Sequence, residues 1–266
     1  MAVEGRDGQG SASAGALALV AQLPRWSIGL VAASLIAWAF LAWIVVDMSH
    51  PFAQLTMPAS PDWRVSNLLA ILAMWALMMA AMMLPSAMPM VLCFVVMSRH
   101  GGETARGHSF VGAYLAVWSA FSVAATAAQW LLQRLDWIDP MLVSTSSALS
   151  AALLLIAGVY QFSPLKRTCL SRCQTPMGFL LGEWRPGVRG AFVMGLRHGL
   201  FCLGCCWALM ALLFVGGVMN LAWISAVSIA VALEKLLPRG ERIAAGLGIA
   251  LIAVAGVKLL AIGGGL

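Results

Sequence analysis

The stretch "GAFVMGLRHGLFCLGCCWALMALLFVGG", residues 190–217, decides the fold class. It contains one arginine and one histidine, and otherwise only apolar, small or thiol side chains. About 20 predominantly apolar residues cross a bilayer core as a helix, and this segment is longer than that. The rest of the chain has the same character. Of its 266 residues 62% are hydrophobic and 10% are charged, against roughly 25% charged in a soluble domain. Such a composition excludes an ordinary soluble enzyme. It also removes nucleic acid as a partner suggested by the net charge of +6, because basic residues in a membrane chain report orientation.

Outward from that stretch, apolar runs between polar breaks predict seven helices, at about 28–46, 68–97, 110–132, 142–161, 190–217, 220–236 and 243–262. The expected fold is all-α: a polytopic transmembrane helix bundle of about seven spans, one transmembrane domain over 25–266 held in a lipid bilayer. Residues 1–24 read as a Gly/Ser-rich, disordered cytoplasmic tail. The tail lacks the basic start and short apolar core of a cleavable signal, so it is expected to be retained.

Lysine and arginine set the expected orientation. Arg6, Arg25, Arg99, Arg106, Lys166, Arg167, Arg172, Arg185, Arg189, Lys235, Arg239 and Arg242 fall on one side of the seven-span arrangement, and only Arg64 and Arg134 on the other. The positive-inside rule then puts the N-terminus in the cytoplasm and the C-terminus in the periplasm. On this reading residues 162–189 form a cytoplasmic, Cys-containing loop whose thiols stay reduced, with Phe179 and Trp184 at headgroup level.

Five of the six cysteines fall in two tight groups, which suits ligation or redox chemistry better than a disulfide framework. At about 100° per residue, His198, Cys202, Cys205 and Cys206 share one face of a helix. Thiolates and imidazole are soft donors suited to Cu⁺ or Zn²⁺, whereas Ca²⁺ and Mg²⁺ take oxygen. One helix does not readily supply four ligands around an ion, so other elements are expected to complete the shell. Gly199 and Gly204 would let a neighbouring helix approach. In "CLSRC", Cys169 and Cys173 are four apart and would face the same way on a helix; Lys166, Arg167 and Arg172 beside them favour thiolate. The alternatives are thiol redox chemistry and plain packing, since free cysteine is also a small hydrophobe.

Three further features bear on the bundle. Seven methionines lie between Met74 and Met90; thioethers bind Cu⁺ but also fill apolar cores. Pro85 and Pro89 interrupt the same helix and free carbonyls that must be satisfied inside the protein. Arg197, Glu234 and Lys235 are ionisable groups in or at the ends of apolar runs and need partners; an Arg197–Glu234 pair beside His198 is the favoured arrangement, with Lys235 supporting or snorkelling to the interface. Cys202-Leu-Gly-Cys205 has thioredoxin spacing without the βαβ context, and Cys206 in place of histidine excludes the usual c-type haem attachment. No nucleophile–base–acid set is present, so no catalytic residues are expected.

Together "MMLPSAMPM", "YQFSPLKRTCLSRC", "RHGLFCLGCCWALMALLFVGGVMNLAW" and "EKLLPRGER" resemble a bacterial family of predicted metal-binding integral membrane proteins. The resemblance runs from about residue 68 to the C-terminus and marks Cys169, Cys173, His198, Cys202, Cys205, Cys206, Glu234 and Lys235. It implies metal binding and a bacterial inner membrane. The functional expectation is a protein that handles a soft metal ion, copper(I) or zinc, for delivery, sensing or storage, with a metal chaperone or a membrane metalloenzyme as partner. The alternatives are a metal transporter, a membrane thiol–disulfide oxidoreductase, and an accessory subunit with inert cysteines.

Overall fold

The computed structural model describes residues 7–60, 62–98, 103–139 and 143–263; for 7–24 and 103 the backbone alone is described. Among these residues the chain forms eleven helices: α1 (Asp7–Val46), α2 (Pro51–Thr56), α3 (Val65–Met97), α4 (Glu103–Arg134), α5 (Ser147–Tyr160), α6 (Pro164–Gln174), α7 (Pro176–Glu183), α8 (Gly187–Ala211), α9 (Leu213–Gly216), α10 (Leu221–Leu236) and α11 (Gly240–Gly263). The one extended pairing described is an isolated bridge between Ile138 and Ser144. The all-α expectation holds. Residues 1–6 of the expected tail lie outside the described residues, as do Arg99 at the end of the second run and the loop after it.

Each of the seven apolar runs is helical, but they are not equal in length. Five segments are long and apolar enough to cross a membrane: Arg25–Val46, Val65–Met97, Thr104–Arg134, Gly187–Gly216 and Gly240–Gly263. Ser147–Tyr160 reaches that length only when joined to Pro164–Gln174 across a 65° bend, and α10 has only 16 residues. The seven-span expectation therefore reduces to five full-length helices, one broken pair and one short helix.

Local rules explain the break after α5. Ser163 caps α6, its side chain accepting from the Lys166 N–H, and Pro164 occupies the first turn, where its missing N–H costs nothing. In α6 the face formed by Lys166, Cys169 and Leu170 is buried and lies against α8. The 162–189 segment is thus no surface loop. It is two helices packed onto the bundle, and Phe179, expected at headgroup level, is fully buried.

Pro85 sits inside α3 and has no N–H to give the carbonyl of Ala81 four residues earlier. That carbonyl accepts instead from Ser34 Oγ at 3.0 Å and Trp38 Nε1 at 3.2 Å, so the proline is compensated by α1. The helices α4 and α8 pack closely because α8 presents glycines to α4. A Cβ on Gly195 would strike the Phe110 backbone, and one on Gly199 would lie 2.8 Å from a Val117 methyl. Small residues four apart are how helices in an apolar medium approach each other.

Candidate metal centre

The centre lies where α3, α4, α6, α8 and α10 meet. His198, Cys202, Cys205 and Cys206 are all buried on one side of α8, as their phasing requires. The Cys205 and Cys206 thiols both turn back to the Cys202 carbonyl at 3.0 Å. From α6, the half-buried Cys173 packs against the core cluster that holds Cys202, Cys205 and Cys206. Cys169 packs on the helix backbone at Gly204, where a Cβ would stand 2.7 Å from its sulfur; a larger residue there would displace α6. Thus the two cysteine groups, 29 residues apart at their nearest members (Cys173 and Cys202), meet in one place. Among the described residues, no three His, Cys, Asp or Glu side chains converge on a point in a geometry that would hold an ion. The thiols form a contact network whose members would have to rotate to bind.

Two buried cations flank this network. Lys235 Nζ donates to Cys202 Sγ at 2.9 Å and to Ser86 Oγ at 3.3 Å, with Met83 Sδ at 3.8 Å. The Tyr114 hydroxyl meets the same sulfur at 3.2 Å and the Met83 carbonyl at 3.2 Å. Lys235 does not snorkel. The preceding residue, Glu234, faces the other way and binds Lys166 Nζ at 2.7 Å, with Gln161 Nε2 donating to its second oxygen at 3.1 Å. Gln174 Nε2, at the end of α6, donates to the Glu234 carbonyl at 2.7 Å. Consecutive residues of α10 therefore serve two tasks: Glu234 clasps α6, and Lys235 addresses the thiols that α6 and α8 bring together.

This arrangement corrects the expected Arg197–Glu234 pair. Arg197 is exposed and pairs with Glu183 of α7, because it lies 100° around α8 from His198. The partner of Glu234 is Lys166, which the charge count had assigned to a loop. The spacing of Lys166, Cys169, Leu170 and Cys173, three or four apart, carried the signal of a helix with one inward face. Nothing in the local pattern pointed to Tyr114 or Ser86, which reach the site from α4 and α3.

His198 stands apart from the thiols, one turn before Cys202. It is 3% exposed, and neither ring nitrogen has a hydrogen-bond partner. Its ring lies among Tyr114, Phe179 and Phe110, with centroids 5.4, 5.8 and 6.0 Å away. Cys93, the sixth cysteine, packs against the cluster of Met90, Met194 and Phe179 and contacts Met177 Sδ at 3.6 Å.

These features define a class: an all-helical bundle, with helices long and apolar enough to cross a membrane, built around a buried group of soft donors. Residues 72–258 match the PpoB2 family, described as copper chaperones. The chain belongs to that family. The matched range begins within α3 and ends within α11, so it contains every residue of the centre. No curated protein and no solved structure matches the chain.

Proposed function

We propose that this protein is an integral membrane copper chaperone, with Cu⁺ as its cargo. It sits in the bacterial inner membrane with the N-terminus cytoplasmic and the C-terminus periplasmic. It binds Cu⁺ through the thiols of Cys202, Cys205, Cys206 and Cys173, with Cys169 beside them. It passes the ion to a membrane or exported copper enzyme, and this hand-over distinguishes it from a store or a sensor. The observation that carries the reading is the packing of Cys169 and Cys173 from α6 against the stretch of α8 that holds Cys202, Cys205 and Cys206, in a chain of a copper chaperone family. Sulfur donors suit Cu⁺. Two thiolates around Cu⁺ carry a net negative charge, and a buried charge needs a partner; the Lys235 ammonium beside Cys202 supplies it. Glu234 and Lys166 hold α6 in place, so they support the centre without touching the ion.

The Cys205 and Cys206 thiols rest on a carbonyl of their own helix. Ligation then needs side-chain rotation and no helix movement, which suits an ion that must also leave. The test is copper content after anaerobic loading of the detergent-purified protein with Cu⁺. Wild type should retain a stoichiometric amount, and the C202S/C205S/C206S variant should lose it. Because thiol ligands must shed protons to bind, retention should fall as the pH is lowered. A wild-type protein without stoichiometric copper, or a triple variant that keeps it, would overturn the proposal. Cycling of Cys202 and Cys205 between thiol and disulfide with no metal bound would favour an oxidoreductase.

A further inference from the structure

Among the described residues, His198 is the side chain with two buried, unpaired polar atoms. Most buried polar side chains have a hydrogen-bond partner, and each exception needs a reason. A neutral imidazole carries one donor and one acceptor, and burying either unpaired costs free energy. Here both are buried and unpaired. The walls around the ring are aromatic, and they offer no hydrogen-bond partner to either nitrogen. The thiols do not provide one either.

The soft donors nearest in register are methionines. Met194 and Cys202 lie four residues to either side of His198 and are buried on the same face of α8, each about 6 Å along the axis. Lys235 touches both Met83 and Cys202, which places these two residues at one level of the bundle. Trp75 meets Phe214 of α9, which completes the span Gly187–Gly216 begun by α8; with Met83 level with Cys202, that contact makes α3 and this span antiparallel. From that level Met90 lies seven residues along α3 and Met194 eight residues back along α8, about 10 and 12 Å in the same direction. Both belong to one buried cluster with Phe110 and Phe179, the rings that flank His198.

We propose that His198 marks a second copper station, built from its imidazole and the thioethers of Met194 and Met90, one helical turn from the thiol centre. The proposal rests on the copper reading above. Every ligand at this station is neutral, so bound Cu⁺ keeps its positive charge. The faces of Tyr114, Phe110 and Phe179 stabilise a cation, but no anion faces it. The thiol centre offers anionic sulfur. The station therefore binds more weakly than the thiols, and an ion loaded there moves downhill to Cys202. The station lies on the side of the centre where α7 covers the bundle, so it is a way-point between that end and the thiols.

Anaerobic titration of the detergent-purified full chain with Cu⁺ alone, against a competing chelator, tests this. Wild type should bind one tight and one weaker ion. His198→Phe, which keeps an aromatic ring in the stack, should lose the weaker ion and keep the tight one. Met194→Leu should weaken the same ion while preserving packing. The C202S/C205S/C206S variant should lose the tight ion and keep the weaker one, whose X-ray absorption should show imidazole nitrogen together with sulfur. If wild type binds one ion and both His198→Phe and the triple variant lose it, His198 belongs to the thiol centre and the separate station is refuted. If His198→Phe matches wild type in both stoichiometry and affinity, the station does not exist. If the triple variant keeps both ions while His198→Phe still loses the weaker one, the thiol reading fails and the station stands; if the folded triple variant loses both, the station is not separate from the thiols and is refuted.

Discussion

At the scale of single residues, the Lys166–Glu234 pair is the most consequential contact outside the thiols. Both side chains are 1% exposed. Taking two charges out of water is repaid only by close geometry and further hydrogen bonds, which the 2.7 Å contact and Gln161 provide. Replacing one partner leaves a buried charge alone and typically costs about 3–5 kcal/mol, whereas an apolar replacement of both is often neutral. Glu234→Gln should therefore lower the thermal unfolding midpoint of the detergent-solubilised protein sharply, and K166M/E234L should recover most of it. The double variant also separates stability from function. With the clasp gone, the described hydrogen bonds of α6 to α10 reduce to those of Gln174 with the α10 backbone, so copper retention should stay impaired even where folding is restored. Equal copper retention in the double variant and wild type would mean that the clasp serves folding alone.

Between elements, the packing of α6 on α8 decides whether two cysteine groups form one site. The contact is tight at Gly204, where a Cβ would lie 2.7 Å from the Cys169 sulfur. Gly204→Ala should push Cys169 and its helix outward by a fraction of an ångström, and Gly204→Leu by more. Overpacking of this kind costs about 1–3 kcal/mol. We expect copper affinity to fall in the order glycine, alanine, leucine, as measured by chelator competition. Leucine at Gly182, which has open space around it, serves as the control and should leave affinity unchanged. The close approach of α4 and α8 at Gly195 and Gly199 has the same logic one layer away. It brings Tyr114 to the Cys202 sulfur and Phe110 to His198, so the site depends on backbone proximity between helices that contribute no cysteines in common.

For the whole molecule, the question is how many of the helices cross a bilayer on the proposed membrane reading. The helices α3 and α4 have 33 and 32 residues, about 50 Å at 1.5 Å per residue, well beyond a hydrocarbon core of about 30 Å. In a bilayer they would extend past the core on at least one side. Exposed Arg185 and Arg189 flank the start of α8, which suits that end to water. Arg106, Lys166 and Lys235 are buried and drop out of the charge count; twelve less three leaves nine basic residues against two, still one-sided. The side of the C-terminus then hinges on α10, whose 16 residues span about 24 Å. A reporter fused after residue 263 should be active only in the periplasm if α10 crosses. A reporter active only in the cytoplasm would make α10 a half-crossing helix and reverse the sidedness of α11.

Much of this protein was legible in residue order alone. Apolar length and the scarcity of charge determine a helical bundle, because backbone polar groups in an apolar medium must be satisfied within each segment. Helical phasing determines that His198, Cys202, Cys205 and Cys206 share a face, since 3.6 residues per turn is a local property. What sequence spacing does not contain is which faces meet. Cys169 and Cys173 come up against the cysteines of α8 because Ser163 and Pro164 start a new helix at an angle to α5 and Gly204 lets it settle on α8. Lys166 became the partner of Glu234 through the same bend, and Arg197 lost that role because it points away from the interior. Tyr114, Ser86 and Met83 joined the centre from two other helices. Those contacts are set by crossing angles and close approaches between helices distant in the chain, and only the tertiary structure decided them.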